Sequence, residues 1–215
     1  MSGAEATLVL GVVSSVISIV DGIKQVYDAA ANAEGLPGAF REVAGRLPIV
    51  QTILASAEKH ITDGDVDERS CKAMKPVIER CGKKAKKLDK LFHKVLPPDN
   101  ASHSERYLAA VRTLGRGGKV ETLMHGMLED IQLLACDYGM KAITSDQIEQ
   151  IAKAIKEVSE MQASVPDSEF RDTPVTNNMY GDGTQNINEV QGNQYLSTGS
   201  SNMYNATTMT FGKGG

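Results

Sequence analysis

The chain has 215 residues, enough for one domain of about 150 residues with a sizeable core and a shorter accompanying segment. Aromatic residues make up 5% and Trp is absent, which indicates a core of aliphatic and Met side chains. The three cysteines form no CxxC pair, which argues against a secreted disulfide framework and against a zinc site. No basic residue precedes the N-terminal apolar stretch, which makes it a poor secretory signal, so we expect a cytoplasmic location.

The first predicted element is a helix over residues 5–31, and its first part carries no charge from residue 6 to residue 20. Fifteen residues of helix reach about 22 Å, less than the ~30 Å core of a bilayer. A permanent transmembrane helix is therefore not favoured. We expect a buried core helix at rest that could enter a membrane after activation. The residues expected to enter are Leu8, Val9, Val12, Val13, Val16, Ile17 and Val20.

Apolar residues at three- and four-residue spacing predict four further helices before Thr144. They run from the GLPG turn at residues 35–38 to residue 61 with a kink at Pro48, then over residues 66–96 with an interruption or bend near Pro76, and over residues 105–114 and 120–140. A last helix begins at Thr144, where Thr144 and Gln147 can form a capping box, and carries Ile148, Ile151, Ala152, Ile155, Val158 and Met161 on its apolar face. The sequence thus predicts an all-α bundle of about five to six helices over residues 1–164, and a polar linker over residues 165–176.

Positive charge is concentrated in the predicted helix over residues 66–96. Between Arg69 and Lys94 there are ten basic residues and two acidic ones, while the rest of the chain is acidic. Such a helix face is most often simply solvated, and attraction to anionic lipid head groups is the second interpretation. Nucleic acid is not expected as a partner, because no aromatic residues alternate with the lysines. The candidate lipid patch consists of Lys83, Lys84, Lys86, Lys87 and Lys90.

The segment 177–215 differs chemically from the rest of the chain. Residues 177–212 hold seven Asn, three Gln, five Gly and two charges, so this stretch alone should be disordered. The same composition favours stacking of identical segments through Asn and Gln ladders, and Asn-Met-Tyr occurs twice. We therefore predict an intrinsically disordered, amyloid-competent tail. Its candidate stacking residues are Asn178, Tyr180, Gln185, Asn186, Asn188, Gln191, Asn193, Gln194, Tyr195, Asn202 and Tyr204.

No catalytic, cofactor-binding or metal-binding residues are expected. The sequence GRGGKVET at residues 115–122 lacks a Ser or Thr directly after Lys119 and follows a predicted helix rather than a strand, so it does not predict a phosphate-binding loop. The four histidines lie in different segments without ligand spacing, and no nucleophile motif is present. The chain is expected not to be an enzyme.

The N-terminal sequence MSGAEATLVLGVVSSVISIVDGIKQVYDAA, followed by LPGAFREVAGRLPIVQTILASAE, resembles the fungal SesA-type domains. These precede NACHT and other P-loop NTPase modules in NOD-like receptors and are related in layout to HeLo and HeLo-like domains. The resemblance extends to about residue 164. In the HeLo relatives, the N-terminal helix inserts into a membrane.

The tail sequence GDGTQNINEVQGNQYLSTGSSNMYN is similar to the σ amyloid motif of fungal effectors encoded beside such receptors. The resemblance implies an effector of regulated cell death whose partners are other copies of itself and a receptor with a matching motif. That receptor would template the tail into a fibril, after which the helical domain would act, with anionic lipids as a further partner and relocation to the plasma membrane. The alternative is an adaptor whose bundle recruits proteins and whose tail polymerises it.

Overall fold

The computed structural model describes residues 3–30, 35, 37–97, 101–137 and 143–170, and all of them belong to one structural unit, Met1–Asp172. Over these ranges the chain forms helices and turns and no strand, which confirms the all-α prediction. The helices are α1 (Gly3–Ala30), α2 (Gly38–Ala44), α3 (Leu47–Asp63), α4 (Glu68–Val95), α5 (His103–Leu114), α6 (Val120–Asp137) and α7 (Ser145–Ser159). One 3-10 turn lies between α5 and α6 at Arg116–Gly118, and another follows α7 at Asp167–Glu169.

The helix predicted between the GLPG turn and residue 61 is divided into two helices, α2 and α3. The described part of the chain therefore has one helix more than the sequence predicted. A turn at Gly45 and Arg46 separates α2 from α3. Pro48 lies in the first turn of α3, where its missing N–H would have no intrahelical partner in any case. The prediction of a kink at Pro48 was therefore wrong, because this proline begins a helix. Pro76 lies inside α4, which runs through it from Glu68 to Val95.

Helices α4, α5 and α7 begin with side-chain caps. The predicted capping box of α7 is present, with the Thr144 hydroxyl accepting from the Gln147 backbone N–H. Ser102 and Glu105 form a second capping box at α5. On α7 the apolar face differs from the prediction at one position, since Ala152 is exposed and Ala154 is buried.

Helix α4 forms the centre of the bundle and buries an apolar stripe whose residues recur at three- and four-residue spacing. Its eight members are all buried: Val77, Ile78, Cys81, Ala85, Leu88, Leu91, Phe92 and Val95. At one end, the Phe40 ring packs between Phe92 and Tyr107, with centroid distances of 4.9 and 5.0 Å. Aromatic pairs at such distances add to the free energy gained from burial. Helix α1 packs against both α4 and α3 along one side of this core.

Part of the predicted linker is docked on the bundle. Val165 is 3% exposed, and the backbone N–H and hydroxyl of Ser164 donate to the Glu121 carboxylate at 2.9 and 2.6 Å. Asp167 accepts from Lys119 at 2.7 Å, and Glu169 pairs with Arg112 at 2.5 Å. Residues 164–170 thus form a strap across α5 and α6, and the remaining linker residues lie outside the described ranges.

Candidate functional site

Helix α1 combines a buried aliphatic side with an exposed side of mostly small residues, on which Leu8 is the large exposed hydrophobic residue among those described. Of the seven residues predicted to enter a membrane, Val9, Val13, Val16 and Val20 lie in the core. The other three are Leu8, which is 53% exposed, and Val12 and Ile17, which are half-buried. Only 28% of the most apolar stretch of the helix is buried. Among the described residues, α1 therefore keeps one side exposed, while Val12, Ile17 and Ile19 are partly buried against the core.

Helices α1 and α4 approach each other closely because glycine lies at their contact. A Cβ atom added at Gly82 would lie 2.9 Å from Cγ2 of Val16, closer than a real Cβ approaches another atom. One turn and a half further along, a Cβ added at Gly22 would lie 3.9 Å from Oδ1 of Asp89. The residue numbers increase together from the Val16–Gly82 contact to the Gly22–Asp89 contact, so the two helices run parallel here.

A groove of about 410 Å³ opens along this α1–α4 contact. Its α1 wall consists of Leu8, Gly11, Val12, Ser15, Val16 and Ile19. Its α4 wall consists of Glu79, Gly82, Lys83 and Lys86. The groove thus brings together three of the seven residues predicted to enter a membrane, Leu8, Val12 and Val16, and two of the five patch lysines. We call it the α1–α4 groove.

The five lysines of the predicted patch have different roles in the fold. The Lys84 ammonium lies 2.5 Å from Oδ2 of Asp130, whose carboxylate also pairs with Arg80 at 3.2 Å. Asp130 is only 5% exposed, so Lys84 links α4 to α6. The other four, Lys83, Lys86, Lys87 and Lys90, are exposed and form no ion pair with the described acidic residues.

Sequence reasoning did not identify the role of Asp130. The signal was present, because this acid follows Met127 and precedes Ile131 and Leu134 at the spacing of the buried side of α6. A carboxylate at such a position needs a cationic partner. Gly126 makes room for that partner, since a Cβ there would lie 2.7 Å from Cε of Lys84.

Two polar contacts tie the exposed side of α1 to α3. The Ser14 hydroxyl donates to the Glu58 carboxylate, and the Gln51 amide donates to the Asp21 carboxylate. Both pairs join side chains that water can reach, so their net contribution to stability is small. Apolar burial, rather than these polar contacts, holds α1 on the bundle.

Several other reactive side chains are engaged in structural contacts or buried in the core. His60 pairs with Asp65 at 3.2 Å, and Lys119 lies 5.2 Å from the centre of the Phe170 ring besides its contact with Asp167. Burial raises the pKa of the Cys81 thiol to about 12. Within the described ranges, no group of three or more His, Cys, Asp or Glu residues could hold a metal ion. The candidate stacking residues of the tail lie outside the described residues.

Comparison with known families gives one match. Residues 13–134 match the family SesA, described as the N-terminal domain on NACHT NTPases and P-loop NTPases, over more than half of the chain. Searches of curated proteins and of solved structures gave no match. In the described part of the chain, α1 is long and apolar enough over Ala4–Ala30 to cross a membrane, a criterion that core helices and signal sequences also meet.

Proposed function

This chain belongs to the SesA family, and on that premise we propose that it is a non-enzymatic cell-death effector associated with NOD-like receptors. The tail over residues 177–215 receives the activating signal when a receptor with a matching motif templates it into a fibril. Fibril formation brings many helical bundles together at one place. The bundles then act on an anionic membrane through α1.

The observation that supports this proposal is the α1–α4 groove, in which Leu8, Val12 and Ile19 of α1 lie beside Lys83 and Lys86 of α4. Each basic residue near an anionic bilayer surface contributes about 1 kcal/mol to binding. Leu8 and Val12 on the same groove are available for contact with the interfacial region of the lipids. The resting bundle thus offers both components of membrane attraction on one surface.

The buried side of α1 explains why activation needs assembly. Releasing α1 exposes Val9, Val13, Val16, Val20 and Ile23, each of which contributes about 1.5–3 kcal/mol through burial. The sum is similar to the whole stability of a typical domain, so an isolated bundle keeps α1 packed. A membrane gives the same side chains an apolar environment, and clustering multiplies the weak attraction of each bundle.

The experiment that tests the signalling step compares the full chain with a variant that lacks residues 177–215. The full chain should convert to fibrils when seeded with the peptide 177–215, and it should cause cell death when co-expressed with the seed. The truncated variant should keep its helical circular dichroism spectrum and cause no death. A truncated variant that kills as efficiently as the full chain would contradict tail templating.

An adaptor function is the second candidate, and the position of SesA domains on NACHT and P-loop NTPases favours it. In this case, the bundle recruits a protein and the tail polymerises the complex. A bulky fusion at the N-terminus separates the two functions, because it obstructs insertion of α1 and leaves α3, α6 and α7 accessible. Killing that persists with such a fusion would favour the adaptor.

A further inference from the structure

The α1–α4 groove has the shape and charge of a binding site for one lipid chain. We infer that the resting bundle binds a single-chain anionic lipid, a long-chain carboxylate, with its alkyl chain on the α1 wall and its head group at Lys83 and Lys86. This site goes beyond the proposed function, since it needs neither tail assembly nor a bilayer.

The width of the groove favours an alkyl chain over a protein helix. The volume of about 410 Å³, spread over the roughly 16 Å of helix between Leu8 and Ile19, corresponds to a cross-section of about 25 Å². A helix with its side chains is about 10–12 Å across and could cover this groove but not enter it. The same volume lies at the lower end of the range for small-molecule sites.

The length of the groove sets the length of the chain. Leu8 and Ile19 mark its two ends on α1, and eleven residues of helix span about 16 Å. At carbon–carbon bond lengths near 1.5 Å, an extended chain of about twelve to fourteen carbons covers that distance. Gly11 leaves the middle of the wall open, because a Cβ there would meet no atom within 4 Å.

The charges fix the orientation of the ligand. Since α1 and α4 run parallel, Lys83 and Lys86 lie toward the Ile19 end and Glu79 lies toward the Leu8 end. No described acidic residue forms an ion pair with Lys83 or Lys86, so both ammonium groups are available to an anionic head group. Glu79 repels an anion at the other end, where the apolar Leu8 suits the terminal methyl group.

The test measures binding of dodecanoate, below its micellar concentration, to the full chain by isothermal titration calorimetry. We expect one site per chain and an affinity that rises about two- to fourfold per methylene from octanoate to dodecanoate, then levels off. Replacing both lysines, Lys83→Gln with Lys86→Gln, should weaken binding about three- to twentyfold, and Lys72→Gln on an exposed part of α4 should not.

A steric variant keeps the test independent of charge. Gly11→Leu adds a large side chain to the α1 wall at a position where a Cβ meets no atom within 4 Å, so it should abolish binding while the helical spectrum and unfolding midpoint persist. Ser18→Leu adds the same side chain to an exposed position of α1 outside the groove and should leave binding intact. Dodecanol, which has no charge, should bind at least threefold more weakly than dodecanoate.

Three results would overturn the inference. They are the absence of saturable dodecanoate binding, an unchanged affinity in Gly11→Leu, and adsorption of many molecules per chain without dependence on chain length. If the groove binds a partner helix instead of a lipid, dodecanoate should show no saturable binding. A failed proposed function gives a different pattern, in which dodecanoate binds but seeded protein does not act on liposomes.

Discussion

Gly82 of α4 lies directly against Val16 of α1, so that a Cβ atom at position 82 would come within 2.9 Å of Val16 Cγ2. This contact decides how close the two longest helices approach. It also places Lys83 beside the exposed edge of α1, since Lys83 follows Gly82 in the same turn of α4. The stability of the core and the shape of the α1–α4 groove thus depend on one glycine.

Replacing that glycine should weaken the attachment of α1. Gly82→Ala forces Val16 or the helix axis to move, and such overpacking typically lowers the free energy of unfolding by about 1–3 kcal/mol. Gly11→Ala is the matched control, because a Cβ there meets nothing within 4 Å and alanine raises helix propensity. Urea unfolding of the full chain measures both. Equal midpoints for the two variants would show that the α1–α4 contact is not tight.

The buried carboxylate of Asp130 should be important for stability. Asp130→Asn leaves Lys84 and Arg80 without their anionic partner and should lower the free energy of unfolding by about 1–3 kcal/mol. Lys84→Gln should lower it as well, whereas Lys87→Gln, at an exposed position of the same helix, should change it by less than about 0.5 kcal/mol. If Lys84→Gln and Lys87→Gln unfold at the same urea concentration, the Lys84–Asp130 pair contributes nothing.

The three cysteines should differ sharply in reactivity. Cys136 is exposed, while Cys71 and Cys81 are buried, and burial raises the pKa of both buried thiols, for Cys81 to about 12. Because the thiolate is the reactive form, Ellman's reagent at pH 8 should modify one thiol per native chain and three in urea. Rapid modification of a second thiol in the native protein would show that the core opens readily.

Alkaline pH should destabilise the bundle through Tyr107. Burial raises its pKa to about 12, from the value of 10.0 for a free tyrosine. The folded state therefore keeps a proton that the unfolded state releases above pH 10, and stability falls as the pH rises from 10 toward 12, by up to about 2 kcal/mol. Tyr107→Phe removes this part of the loss.

The comparison between wild type and Tyr107→Phe isolates the tyrosine, because the buried Cys81 thiol contributes a similar loss in both proteins. The variant begins from a lower stability, since the Tyr107 hydroxyl also bonds to Ser164 and to the Val120 N–H. Unfolding free energies at pH 9, 10 and 11 provide the test. Parallel pH profiles for the two proteins would contradict the raised pKa of Tyr107.

The sequence predicted those features that depend on local patterns. The stripe of α4 from Val77 to Val95 and the capping box at Thr144 follow from spacing and from residue type within one helix. The separation of α2 from α3 was missed, because a proline within an apolar pattern can either kink a helix or begin one.

Features that join distant segments could not be predicted in the same way. The groove depends on Gly82 meeting Val16, and nothing in the spacing around either residue identifies the other. The strap depends on Glu121 and Lys119 binding residues 164–170, a stretch whose polar composition indicated a linker. Such pairings require the three-dimensional arrangement, since hydrogen bonds between distant polar residues leave no periodic signal.

The exposed end of α1 allows a test of membrane action that leaves the core intact. Leu8 is 53% exposed, so Leu8→Asp should not unfold the bundle, in contrast to a charge at the buried Val13. An aspartate costs about 2.5–3.5 kcal/mol at the centre of an inserted helix, and Leu8 lies near one end of the apolar stretch Ala4–Ala30, so the cost at this position is below that range. Ala55→Asp, at an exposed position of α3, is the matched control.

The most direct measurement of the central claim is dye release from anionic liposomes by the full chain seeded with fibrils of the peptide 177–215. We predict rapid release by the wild type and by Ala55→Asp, and release by Leu8→Asp that is at least tenfold slower although its helicity and fibril formation are unchanged. Intact liposomes with seeded wild-type protein, or equal release by Leu8→Asp, would contradict membrane action through α1.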